Sequence, residues 1–82
     1  MPSNALTLAV IGQGYVGLPL ALRASQQGCR VVGYEVDGQR VASLRAGRSY
    51  VGDVSDAELS AALAAGYLPT DDPADLAGFD VA

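Results

Sequence analysis

The sequence predicts an α/β fold: a parallel sheet with helices packed along it through right-handed crossovers. Three observations carry this. Apolar runs rich in branched residues alternate with stretches of helical spacing. The first run, Leu6 to Ile11, leads directly into Gly12, Gly14 and Gly17, and those glycines lead directly into a helical pattern. Half of the 82 residues are hydrophobic and only 17% are charged, which is too apolar for disorder and too interrupted for a membrane span.

The elements follow in order. Leu6–Ile11 is a continuous apolar run, the pattern of a strand buried on both faces. Tyr15 to Gln27 reads as a helix: Val16, Leu20 and Ala24 fall at i, i+4 and i+8 with Leu18 and Leu22 beside them, and Gly28 suits its end. Pro19 then lies just past the first turn, where it removes a backbone bond and distorts the helix start. Arg30 to Glu35 is a second strand. Asp37 caps a second helix with Val41 and Leu44 inward and Gly47 as its stop. RSYVGDVSD is a loop; within it, Ser55 followed by Glu58 is a capping box that opens a third helix to about Ala65, closed by Gly66. Tyr67 to Thr70 is a short third strand. Asp72-Pro73 is the N-cap and first position of a short helix ending near Gly78, and FDVA begins a fourth strand. There are no repeats.

Composition narrows the function classes. Nine acids against five arginines, with no lysine, give a net charge of −4 and no basic cluster, which argues against nucleic acid as a partner. A small anion held by backbone N–H groups stays open. With no histidine and a single cysteine, Cys29, no metal site is expected; Cys29, just before the second strand, reads as a small buried hydrophobe. The N-terminus MPSNA carries no basic side chain and Gly12 breaks the apolar run, so a secretory leader is not expected and the default location is cytoplasmic.

The glycines carry the candidate chemistry. With 10 glycines in the chain, GxGxxG alone is weak. Its position between strand and helix gives each glycine a separate role. Gly12 permits the turn off the strand, Gly14 lets a pyrophosphate approach the backbone, and Gly17 allows close packing of helix on sheet. First-turn N–H groups and the positive end of the helix dipole would face the anion. The plainer reading is that the glycines only make a turn and a tight contact. Glu35 ends the second strand, 18 residues after Gly17. A carboxylate there accepts both hydroxyls of an adenine ribose and repels a 2′-phosphate, favouring NAD over NADP; otherwise it is a solvated strand-end acid. Asp37 reads first as a helix cap and only second as a ribose contact. Arg40, on the first turn of the second helix, is in reach of the adenosine side of a nucleotide or is simply solvated. The S-adenosylmethionine-binding methyltransferases also place an acid after the second strand, but usually without this glycine spacing, and a kinase loop would need a lysine. The segment therefore reads as the N-terminal half of a Rossmann doubly wound sheet, ordered 3-2-1-4 and stopping at the start of the fourth strand, which leaves the first strand with an open apolar edge.

The stretch GQGYVGLPLA, with Pro19 in place, resembles the nucleotide-sugar dehydrogenases of the UDP-glucose/GDP-mannose dehydrogenase family, whose dinucleotide loop recurs as GxGYVGLP. The likeness continues through GYEVDGQRV, LRAGRSYVGDVSDAEL and DDPADLAGFDV and so covers nearly the whole chain. Where UDP-glucose oxidisers commonly carry E-P-G-L after the second helix, this chain reads SYVGDVSDAEL, closer to the branch acting on UDP-N-acetylhexosamines such as UDP-N-acetylglucosamine 6-dehydrogenase. The resemblance implies an NAD-binding segment of an enzyme of polysaccharide biosynthesis. That enzyme oxidises the C6 alcohol of a UDP-sugar to the uronic acid in two hydride transfers, through a cysteine thiohemiacetal and thioester. It implies a UDP-sugar substrate only in a longer protein, and a homo-oligomer in the full-length form. Family members are several times longer, and their nucleophilic cysteine, lysine and sugar-binding domain find no counterpart here; Cys29 does not match that cysteine. Residues 1–82 are thus expected to be a partial NAD(P)-binding domain, catalytically incomplete alone. The cofactor-binding candidates are Gly12, Gln13, Gly14, Tyr15, Val16, Gly17, Glu35, Asp37 and Arg40, with no catalytic or metal-binding residue. A reading from a different class, a stand-alone nucleotide-binding or interaction module, makes the same use of these residues without chemistry.

Overall fold

The computed structural model describes residues 7–77 and the backbone of 80–81. Four parallel strands form one sheet in the order β3-β2-β1-β4, as expected: β1 (Thr7–Ile11), β2 (Arg30–Tyr34), β3 (Leu68–Thr70) and β4 (Asp80–Val81). β1 runs beside β2 from Thr7–Arg30 to Ile11–Tyr34, and on its other side Leu8 and Ala9 pair with Asp80 and Val81 of β4. The edge expected to stay open is thus covered along those two residues. Leu6, Gly78, Phe79 and Ala82, to which the sequence pattern also gave places, lie outside the described residues.

Helices α1 (Gly17–Gln26), α2 (Gly38–Arg45) and α3 (Asp56–Ala64) connect the strands, and the expected short helix after Asp72 is a 3-10 turn, Pro73–Leu76. One hydrophobic cluster joins Val10 and Val31 of the sheet to Leu18 and Leu22 of α1, Leu44 of α2 and Leu59 of α3. At alternate strand positions Ala9 and Val32 are buried too, so the centre of the sheet is closed on both faces. Ile11, expected to be buried, is instead exposed at the end of β1, where the sheet meets the glycine loop.

The helix ends are local constructions. Gly28, Gly47 and Gly66 all take positive φ one residue past the C-caps. Each of those helices closes with the paired backbone bonds of a Schellman motif; at α1 these are Gly28 N–H to Ser25 O and Cys29 N–H to Ala24 O.

Helix α1 departs from the expected helix in two respects. It begins at Gly17, not Tyr15, after a turn over Gly14–Val16. Pro19 is then the third helical position, where no intrahelical acceptor is required, and Leu18 N–H to Gly14 O and Leu20 N–H to Val16 O are made on either side of it. The expected distortion is absent. The buried stripe is Leu18, Ala21, Leu22 and Ser25, while Val16 and Leu20 face solvent. Apolar residues lie on more than one side of this helix, so periodicity alone does not select the face. The close contact at Gly17 does: a Cβ there would overlap the carbonyl oxygen of Gly12.

Candidate functional site: the glycine loop and its crevice

The glycine loop leaves β1 at Gly12, which has φ +83°, the left-handed region that suits glycine. Its N–H still donates to Tyr34 O of β2, so the loop starts from a fixed point. Gly17 presses on Gly12 as described. Gly14 differs: a Cβ there would meet nothing nearer than Arg40 Nη1 at 3.7 Å. Two glycines serve the fold, while the third opens space on the crevice side.

Among the described residues, the N–H groups of Gly14, Tyr15 and Val16 find no protein acceptor, and Val16 gives α1 no side-chain cap. Gly14 and Tyr15 line a crevice of about 340 Å³ together with Asp37, Arg40, Tyr50 and Val51 among others. Tyr15 and Val16 are 76% and 80% exposed.

Gln13 behaves differently from its expected role. It is wholly buried, and its side chain points inward rather than to the crevice. Nε2 donates to Val10 O (2.9 Å) and Gly12 O (3.0 Å), and Oε1 accepts from Tyr67 Oη (2.5 Å). Its backbone N–H donates to Glu35 Oε1 (2.9 Å), and its carbonyl accepts from Tyr50 Oη (2.6 Å). The N–H of Gln13 is therefore not one of the donors that an anion would meet.

Glu35 is not the solvated strand-end acid of the plainer reading. It is buried, with Oε1 on Gln13 N–H and Oε2 on Asp37 N–H (3.1 Å), which ties the glycine loop to the start of α2. A carboxylate has about four acceptor positions, so each oxygen keeps capacity beyond these bonds. Asp37 is the N-cap of α2, accepting from Gln39 N–H (2.9 Å) and Arg40 N–H (3.4 Å). Arg40 lies with its guanidinium carbon 5.1 Å from the Tyr50 ring centre, a cation–π contact at the crevice wall.

Sequence reasoning missed Tyr50, Tyr67 and Gly33. Burial pushes the Tyr50 hydroxyl up to about 12, with the Glu35 charge adding to the shift and Arg40 opposing it. Burial also raises Tyr67, helped by Tyr50 and Glu35. Both phenols therefore stay protonated near neutral pH and remain donors. Gly33, in the middle of β2, makes room for this network: a Cβ there would stand 2.6 Å from Tyr67 Oη and closer still to Gln13 Oε1. A glycine inside a strand is a known sign of such close approach; the two tyrosines give no local signal.

The model of the UDP-glucose/GDP-mannose dehydrogenase family NAD-binding domain matches residues 6–77. The chain belongs to this family. It is 44% identical over 57 residues to the UDP-N-acetyl-D-glucosamine 6-dehydrogenase of Pseudomonas aeruginosa, covering 70% of this chain and 13% of that protein. It is 33% identical over 78 residues to the UDP-N-acetyl-D-mannosamine dehydrogenase of Pyrococcus horikoshii, covering 93% and 19%. Among solved structures, the UDP-glucose dehydrogenase of Pyrobaculum islandicum superposes with a TM-score of 0.82 at 31% identity, over 99% of this chain and 20% of that one. The chain thus spans less than a fifth of the length of the curated relatives it matches. Within the family it is an NAD-binding segment, with NAD as the cofactor. Among the described residues no helix is long and apolar enough to cross a membrane.

The residues fit that cofactor. The absence of a Cβ at Gly14 leaves the approach to three unclaimed N–H groups open, and a buried carboxylate with spare acceptor capacity ends the neighbouring strand. Of the candidates, Gly14, Tyr15, Asp37 and Arg40 line one crevice. Val16 is exposed without lining it, and Glu35 is bonded to the loop through the Gln13 N–H. Gly12, Gln13 and Gly17 shape the loop from inside.

Proposed function

We propose that this chain holds the adenosine and diphosphate part of NAD for a UDP-N-acetylhexosamine 6-dehydrogenase. The observation that carries the reading is the uncapped start of α1, with Gly14, Tyr15 and Val16 N–H unpaired among the described residues and Gly14 and Tyr15 lining a crevice. Three unpaired amides at the positive end of a helix suit a diphosphate without any lysine. Glu35 would accept the ribose hydroxyls through its remaining lone pairs, and Arg40 would lie along the adenosine side with Tyr50 behind it. Asp37 keeps its capping role and adds a negative group at the crevice edge. Residues 1–82 are read as part of the dinucleotide domain, with no catalytic group of their own.

NAD, when bound in the whole enzyme, accepts the hydride in each of the two oxidations that turn the C6 alcohol into a carboxylate. The UDP-sugar, a cytoplasmic location, a homo-oligomeric full-length form and a place in polysaccharide biosynthesis belong to the same reading. The relatives named for UDP-N-acetyl-D-glucosamine and UDP-N-acetyl-D-mannosamine support the sugar class.

Calorimetry with NAD, NADP and ADP-ribose tests the site. NAD should bind about tenfold or more tighter than NADP, a gap of ~1.4 kcal/mol, and the preference should vanish in Glu35→Ala. That substitution also strips an acceptor from Gln13 and Asp37 N–H, so the NAD-to-NADP ratio is the diagnostic quantity and absolute affinity is not. Equal affinity for both nucleotides in the unmodified protein would remove Glu35 from its role.

A further inference from the structure

We propose that Gln13 is a positioning residue for nucleotide binding: anchored by Tyr67 in the space left by Gly33, it sets the Gly12–Gln13 peptide whose N–H holds the Glu35 carboxylate. The inference rests on the site assigned above and adds a cause for its geometry.

Gln13 is an unusual residue to find between two loop glycines with no exposure at all. Burying a primary amide is costly unless its donors and acceptor are all used. Here they are: both side-chain donor contacts go to backbone carbonyls of its own loop and strand, and the acceptor takes the Tyr67 hydroxyl. No buried side-chain polar atom among the described residues lacks a partner. The amide thus fixes the Gly12–Gln13 peptide plane through its carbonyl, together with the Val10 carbonyl at the end of β1. The N–H of that plane donates to Glu35, while the Gln13 carbonyl, in the next plane, accepts from Tyr50.

Tyr67 does not line the crevice, and its ring is buried beneath the sheet end. Among the described residues its hydroxyl hydrogen-bonds to Gln13, which links it to the peptide that holds Glu35. The fold gives a matching constraint in β2, where Gly33 admits the Gln13 amide and the Tyr67 hydroxyl to the same small space.

The test measures NAD affinity by calorimetry for the unmodified protein, Tyr67→Phe, Gln13→Leu and the double variant Gln13→Leu/Tyr67→Phe. Each is measured at a temperature where circular dichroism shows it fully folded. Tyr67→Phe is the mild variant, removing one oxygen from a residue that does not line the crevice. It should weaken NAD by about threefold or more, and Gln13→Leu by about tenfold or more. The double variant replaces a broken polar pair with an apolar one, so its melting temperature should recover toward that of the unmodified protein while its affinity stays as low as that of Gln13→Leu. If affinity recovers together with stability, or if Tyr67→Phe and the double variant both bind within about twofold of the unmodified protein, Gln13 serves packing only and the proposal is overturned. If the unmodified protein itself fails to bind NAD, the site assignment falls first, and the inference falls with it.

Discussion

Helices α1 and α3 pack against each other, end in the same Schellman geometry and begin in opposite ways. α3 starts on a full capping box: Ser55 Oγ accepts from Glu58 N–H (3.0 Å), and Glu58 Oε1 accepts from Ser55 N–H (3.0 Å). α2 and the 3-10 turn are capped by Asp37 and Asp72. α1 has no side-chain cap, no acid in its first turn and a valine at the N-cap position. Its start is held from below instead, by the contact of Gly17 with Gly12 and by the Gln13 amide. A helix whose beginning is fixed by packing can leave its first N–H groups for a ligand; a helix fixed by capping has already used them.

The contrast is most severely tested within the glycine loop. Gly17→Ala drives a Cβ into the Gly12 carbonyl. The cost should be at least about 3 kcal/mol, the upper part of the usual overpacking range, out of the roughly 5–10 kcal/mol a domain of this size has in hand. Chemical denaturation should show a clearly lowered midpoint, with the folded state much less favoured than in the unmodified protein. Gly14→Ala has room for its methyl group, so its stability should change by less than about 0.5 kcal/mol while NAD affinity drops about tenfold or more. Loss of folding in Gly14→Ala would show that this glycine, too, serves only the turn.

Val16→Asp would give α1 what the other helices have. A carboxylate at the helix N-terminus should stabilise the unliganded protein by about 0.3–1 kcal/mol and raise its melting temperature. The same charge should repel a diphosphate, so affinity and stability move in opposite directions. Parallel changes would contradict the assignment of these N–H groups to an anion.

At α3 the expectation reverses. Ser55→Ala should cost about 1 kcal/mol of stability and leave the NAD affinity of the folded protein unchanged, as read by melting and calorimetry on one sample. The smallest effect is a pH dependence. Hydrogen bonds from the Ser55 backbone and side chain hold the Glu58 carboxyl below its ordinary value. A lowered folded value means that the carboxylate contributes stability above its unfolded value and loses that contribution as pH falls through the lowered one. The stability gap between the unmodified protein and Glu58→Gln should therefore be widest near neutral pH and close on acidification. A constant gap would remove Glu58 from the box.

Much of this is legible in the chain. The strand order, the three glycine-terminated helices, the Asp37, Ser55 and Asp72 caps and the inward Val41 and Leu44 all stand where the sequence places them. Pro19 is puzzling only while the helix start is set a half-turn early. The face of α1 escapes the periodicity because its polar Ser25 lies on the buried stripe while Val16 and Leu20 do not.

Caps, left-handed glycines and apolar periodicity are settled between residues a few positions apart, so the sequence by itself determined them, together with the family to which the loop belongs. The orientation of Gln13 was decided only by the tertiary structure. Its partners Glu35, Tyr50 and Tyr67 lie 22, 37 and 54 residues away. Nothing in a stretch of local sequence says that a glutamine between two glycines will turn inward. That outcome requires the sheet to bring β2, the loop after α2 and the start of β3 to one place, where a buried amide costs least with every donor and acceptor paired.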